Sequence, residues 1–274
     1  MGRIFTPWQV EQGLVPALND FGVFVKLLKH DLEKCEGVIG ALTYGSAALG
    51  CYTRRSDVDC LIVHNPENEE LVIGVLTALY AVAQRMNISL EAIALSSDIA
   101  ATRMHHIDHG LIDHMLRVVS LNPESVIRAN PLFFLSLGGP DLKEDTIDYI
   151  RFKLRQLEKF RLEERSVSEP IYYSGLSMAT SSVIHIARKM IIYLGGDLTN
   201  DSSLNVCEFY PDFVDSELAS IFRQLVQVDR QYSEILLQQL ERFDCATYEA
   251  AVQAIDDSLP AFVKFARINA LMLA

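Results

Sequence analysis

The chain has 274 residues, half of them hydrophobic and 22% charged, the profile of a globular protein with room for one large domain or two modest ones. A formal net charge of −12 argues against a protein whose main task is to grip a nucleic-acid backbone, and leans toward a small cationic ligand. No apolar run approaches the length of a membrane span. No basic segment followed by an apolar core opens the chain, so no signal peptide is read. The five cysteines are scattered, odd in number and without a C-x-x-C pair, which favours reduced thiols in a cytoplasm over a disulfide framework or zinc site.

From about Trp8 to Glu33 the apolar spacing predicts one amphipathic helix, with Val10, Leu14, Leu18, Val23, Val25 and Leu28 on its inner side. Val38 to Thr43 reads as a first strand running into Tyr44-Gly45-Ser46, and Asp57 to Val63 as a second. Asn65 to Asn68 is a turn, with Asn68 placed to cap a helix that runs to about Met86. Ser89 to Leu95 is a third strand with Ser89, Glu91 and Ile93 on one face. A helix from about Asp98 to Val119 and a short strand from Leu132 to Leu137 precede Gly138-Gly139-Pro140. Beyond that the pattern is almost wholly helical, with breaks near Pro170, Gly195-Gly196, Pro211 and Pro260. The boundary is placed so that residues 1–142 form one domain and residues 143–274 a second, helical one.

The chemistry concentrates between residues 44 and 64. Separated from Gly45-Ser46 by ten residues, the acids Asp57 and Asp59 open the second strand, and strand alternation puts both on one face with Val58 and Cys60 on the other. Magnesium takes hard oxygen ligands, typically one or two carboxylates plus phosphate oxygens and water. A glycine-serine turn lets backbone N–H groups and the Ser46 hydroxyl approach phosphate closely. Transfer to a hydroxyl then needs a third carboxylate as general base or further ligand, and Glu91 has the right facing on the next strand. Crowding of three acids makes a metal-free site unfavourable. Arg54 and Arg55, just before the acidic pair, are candidates for a β- or γ-phosphate.

Gly45-Ser46, Gly50, Ser56-Asp57-Val58-Asp59 and the apolar tail after them resemble the signature of the polymerase-β-like nucleotidyltransferase superfamily. The nearest likeness is to its small-molecule branch, which includes aminoglycoside adenylyltransferases. The resemblance implies an α+β fold: a mixed sheet flanked by helices, followed by an all-α bundle that chooses the acceptor. It implies a nucleoside triphosphate, ATP first, bound with two magnesium ions, and transfer of its nucleoside monophosphate to a hydroxyl. Carried onto this chain, Asp57 and Asp59 hold metal, Gly45, Ser46, Arg55 and Ser56 hold the nucleotide, and Glu91 activates the hydroxyl. A small, cationic acceptor such as an aminoglycoside is the expectation; a homodimer rests on likeness alone. The alternative is an antitoxin-like or regulatory protein of the same fold that binds or nucleotidylates a partner protein.

Other features have plainer readings. In the histidine-rich stretch His105-His106-Ile107-Asp108-His109-Gly110-Leu111-Ile112-Asp113-His114, His105 and His109, with Asp113, are spaced to share a helix face, but Gly110 interrupts it and magnesium chemistry calls for oxygen rather than imidazole, so these histidines are expected to line a polar helix face near the acceptor. Arg151, Lys153, Arg155, Lys159, Arg161 and Arg165, interleaved with Glu158, Glu163 and Glu164, read as a solvated helix face, with a phosphate contact as the sharper alternative. Tyr172, Tyr173 and Ser174 follow Pro170 as packing or ligand-facing groups. Ser177 to Leu194 reads as the buried centre of the bundle, with His185 as a satisfied core residue.

Overall fold

The structure, a computed structural model, describes residues 2–102, 109–129, 142–164, 166–196 and 203–273. Its contacts divide the chain into two units, Pro16–Leu142 and a second made of Met1–Val15 with Lys143–Ala274. The architecture is α+β: a mixed sheet with flanking helices in the first unit and helices throughout the second. No helix of the described residues is long and apolar enough to cross a membrane.

The helix expected from Trp8 to Glu33 is two helices in two different units. α1 (Pro7–Glu11) is closed by a reciprocal cap: Gln9 N–H donates to the Thr6 hydroxyl at 3.1 Å, and Thr6 N–H to the Gln9 side chain at 2.8 Å. Gly13 and Pro16 then interrupt the helical ladder, and α2 (Leu18–Lys34) starts afresh. Phe21, Phe24, Leu28 and Leu32 form its buried side, so Leu18 and Val23, expected inside, are exposed.

In the first unit the described strands form one sheet in the order β3-β2-β1-β4. β1 (Val38–Tyr44) runs antiparallel to β2 (Asp57–His64) and to β4 (Val126–Arg128), while β2 runs parallel to β3 (Ser89–Ser96). The expected strand at Leu132 to Leu137 lies outside the described residues. Alternation along β2 sorts its side chains. Val58, Cys60 and Ile62 pack with α2 and with α4 (Glu69–Arg85) on one face, and Leu61 and Val63 pack with α6 (His109–Leu121) on the other. The turn before α4 is capped by Asn65, whose side chain accepts from Glu67 N–H at 3.1 Å; Asn68 makes no side-chain cap bond. The helix expected from Asp98 to Val119 comprises α5 (Ser97–Thr102) and α6, with residues 103–108 between them outside the described set.

The second unit contains α7 (Leu142–Glu163), α8 (Glu169–Tyr193), α9 (Ser203–Phe209), α10 (Ser216–Gln239), α11 (Cys245–Asp256) and α12 (Leu259–Met272). Pro170 and Pro260 stand in the first turns of α8 and α12, where a missing N–H costs no helical bond. α8 is the buried centre, contributing Leu176, Ala179, Val183, Ile186, Ala187 and Met190 to the core. His185 departs from its core reading: it is exposed, with Nδ1 3.0 Å from the Tyr149 hydroxyl. Glu158 pairs with Arg267 of α12 at 2.6 Å, across the bundle rather than along its own helix.

Residues 1–142 were expected as one domain, but the N-terminal segment packs with the helical unit. Ile4, Phe5, Val10 and Val15 are buried in its core. Ile4 N–H donates to the Ser177 hydroxyl at 2.8 Å and Phe5 N–H to the Tyr232 hydroxyl at 3.1 Å. The Tyr248 hydroxyl donates to Phe5 C=O at 2.7 Å, and the two tyrosine hydroxyls lie 2.7 Å apart. Both backbone polar groups of the buried Phe5 are thereby satisfied in a closed ring.

Candidate active site

β1, β2 and β3 meet where the first ends and the other two begin. Asp57 is the first residue of β2, and Asp59 lies on the same face two residues on. Asp59 pairs across the sheet with Tyr44 on one side and Glu91 on the other. Residues paired across strands share a face, so register alone brings Glu91 to the acidic pair. One carboxylate oxygen from each of Asp57, Asp59 and Glu91 lies within 4.8 Å of the others. The aspartates are half-buried and Glu91 is exposed.

At this separation each like-charge pair repels by about 1 kcal/mol in water-like surroundings and by about 3–4 kcal/mol at the effective permittivity of a protein surface. The field reaches further. Burial raises the Tyr44 hydroxyl far above its ordinary value, with Asp59, Cys60, Glu91 and Asp57 adding to the effect. Burial, then Asp59, pushes the Cys60 thiol up to about 12. An all-oxygen, triply acidic set suits a hard divalent cation and not a thiophilic metal.

Gly45 accounts for the closeness of strand and turn. It opens the short α3 (Gly45–Ala48), so the expected turn is a helical one. Its φ of +68° lies in the left-handed region, and a Cβ there would stand 2.3 Å from Asp59 Oδ2. The carboxylate thus occupies space that any side chain at position 45 would take.

The remaining expected residues lie nearby in sequence, in different settings. Ser46 is the second residue of α3 and is half-buried. Arg55 is buried, and its N–H donates to the Thr53 hydroxyl at 3.2 Å. The Ser56 hydroxyl accepts from Thr53 N–H at 2.9 Å, which folds the loop leading into β2. Arg54 donates to Pro16 C=O at 3.3 Å. Of the histidine-rich stretch, His105, His106 and Asp108 lie outside the described residues, as do the side chains of His109 and Asp113. His114 is buried, edge-on to Tyr44 with ring centroids 6.2 Å apart, under the sheet face that bears the acids. Tyr44 was not singled out beforehand; its position two residues ahead of Ser46 and on the face of Asp59 was the available signal.

Residues 25–113, the stretch that holds all three acids and Gly45, match the nucleotidyltransferase domain family. The match supports the polymerase-β-like superfamily and a transferase activity. No curated protein matches the chain.

Proposed function

We propose that this protein transfers a nucleoside monophosphate, AMP from ATP in the first instance, to a hydroxyl of a small cationic acceptor of the aminoglycoside kind. The observation that carries the reading is the convergence of Asp57, Asp59 and Glu91 from two parallel strands, with Asp59 seated against Gly45. Asp57 and Asp59 would hold magnesium, two ions in the full site, and the oxygen donor set fits that ion. When bound, magnesium supplies charge neutralisation for the triphosphate and the departing pyrophosphate.

The chain's own residues carry the rest. Gly45 and Ser46 offer N–H and hydroxyl donors to phosphate, with Arg55 and Ser56 as the further nucleotide contacts. Glu91, the exposed member of the triad, accepts the proton of the attacking hydroxyl. The hydroxyl oxygen bonds to the α-phosphorus, the bridge to the β-phosphate breaks, and pyrophosphate leaves. A net charge of −12 supports a cationic acceptor, and cysteines that form no disulfide support a cytoplasmic setting.

The test is incubation with magnesium and each labelled nucleoside triphosphate, scored for acceptor-dependent pyrophosphate release. Asp57→Asn and Asp59→Asn keep size and shape while removing charge, so each abolishes transfer and leaves the circular dichroism spectrum unchanged. Full activity in either variant rejects the mechanism. Label on a co-purifying protein in place of a small molecule rejects the small acceptor and moves the assignment to a protein-modifying enzyme.

A further inference from the structure

α4 buries Val72, Leu76, Leu79 and Ala83 against the sheet and α2. Its outer side is unusual for a surface helix. From Leu71 to Gln84 the helix carries no charged residue, and Leu71, Ile73 and Tyr80 are exposed there at 48%, 53% and 44%. Gly74, Thr77, Ala78 and Ala81 lie between them, also exposed. Glycine weakens a helix interior relative to alanine. Yet a Cβ at Gly74 would meet nothing within 4 Å among the described residues, so none of them requires its absence. The Thr77 hydroxyl is satisfied within the helix, donating to Ile73 C=O at 2.8 Å.

We propose that this face docks a second copy of the chain, with the two α4 helices antiparallel about a twofold axis at Thr77 and Ala78. Charge argues for a copy in that orientation. Two chains of net charge −12 repel in most approaches. This face is neutral at its centre, acidic at one end (Glu69 and Glu70) and basic at the other (Arg85). An antiparallel copy sets Glu70 beside Arg85 of the partner subunit and Gly74 beside Ala81 of the partner subunit, twice by symmetry; a parallel copy sets like charges together. The contact is self-complementary, as a twofold interface must be. The two helix dipoles also oppose favourably, and small residues at the crossing let the backbones approach closely. This inference is independent of the proposed reaction.

Sedimentation equilibrium of the full chain over roughly 1–100 µM tests it. The expected result is a concentration-dependent dimer. Ala81→Glu, which puts a carboxylate into the apolar contact on both copies, raises its Kd by about 100-fold or more. Glu70→Arg and Arg85→Glu each weaken it roughly threefold to tenfold, and the double variant returns to within about threefold of the parent. Gly74→Ala raises the melting temperature of the dilute monomer while weakening the dimer. A chain that stays monomeric throughout the range, a dimer indifferent to Ala81→Glu, or a charge swap without rescue each overturns the proposal.

Discussion

Gly45 and Gly50 form a natural pair of probes, because both have φ +68° but only one faces the acids. At Gly50 an added Cβ meets nothing within 4 Å among the described residues, whereas at Gly45 it stands 2.3 Å from Asp59 Oδ2. Gly50→Ala therefore reports backbone strain alone, about 1–2 kcal/mol for a left-handed alanine. Gly45→Ala pays the same strain and must also move the carboxylate. Ordinary contact requires a separation about 1 Å greater, and misplacing a reacting group by that much costs on the order of 100-fold in rate. Both variants should lose several degrees of melting temperature, in line with about 1–2 kcal/mol. Only Gly45→Ala should also lose the magnesium-dependent rise in melting temperature and most of kcat/KM for transfer. Thermal unfolding with and without magnesium, followed by initial-rate measurements, separates the two. Equal magnesium response and equal kcat/KM in both variants would refute the claim that Gly45 seats Asp59.

Magnesium itself should raise the melting temperature of the parent protein, by roughly the 3 kcal/mol that saturation at a hundred times Kd provides, and Asp59→Asn should abolish that rise without lowering the metal-free melting temperature; a magnesium-induced rise that survives in Asp59→Asn excludes Asp59 as a ligand. Asp244 caps α11, and its carboxyl is held below its ordinary value by the Thr247 hydroxyl first and the Thr247 N–H next. A depressed folded value means that the stabilisation is complete above the unfolded pKa of about 4 and is lost as pH falls through the folded one. Asp244→Ala should accordingly melt below the parent at neutral pH, with the gap closing under acid; a gap that is constant with pH removes the ionised cap from the account.

The grouping of the three acids was legible because much of its logic is local. Period-two alternation places Asp57 and Asp59 on one face of β2 with no tertiary information, and the register of β2 with β3 then sets Glu91 beside Asp59. The break at Gly13 and Pro16 was less so, because apolar spacing happens to continue across it and periodicity outweighed the proline. Leu18 and Val23 fit the period but not the packing, since Phe21 and Phe24 claim the inner face. His185 lies on a helix buried around much of its circumference, which made a core role the natural reading, yet its own position is exposed. Tyr44 stands in sequence just ahead of Ser46, but its pairing with Asp59 and its ring contact with the buried His114 come from strand register and the covering helix, neither of which a linear spacing encodes.

The N-terminal segment was the least legible feature, because its partners are remote: Phe5 is held by Tyr232 and Tyr248, 227 and 243 positions away. Its weight is large all the same. Ile4, Phe5, Val10 and Val15 are each at most 7% exposed, and burial at about 1.5–3 kcal/mol per such side chain sums to roughly 6–12 kcal/mol. That is comparable with the whole stability of an ordinary domain, about 5–15 kcal/mol. Removing residues 1–15 should therefore unfold the helical unit. Among the described residues the core of the sheet unit draws nothing from that segment, so the unit should keep its fold and its magnesium response. Hydrogen exchange on the truncated chain distinguishes the two outcomes. Loss of protection should be confined to residues 143–274, with β1 to β3 still protected. Tyr248→Phe is the milder version, leaving Phe5 C=O without its donor at a cost of about 1–3 kcal/mol. Protection of the helical unit that survives the truncation unchanged would show that the segment only lies against that unit and does not hold it together.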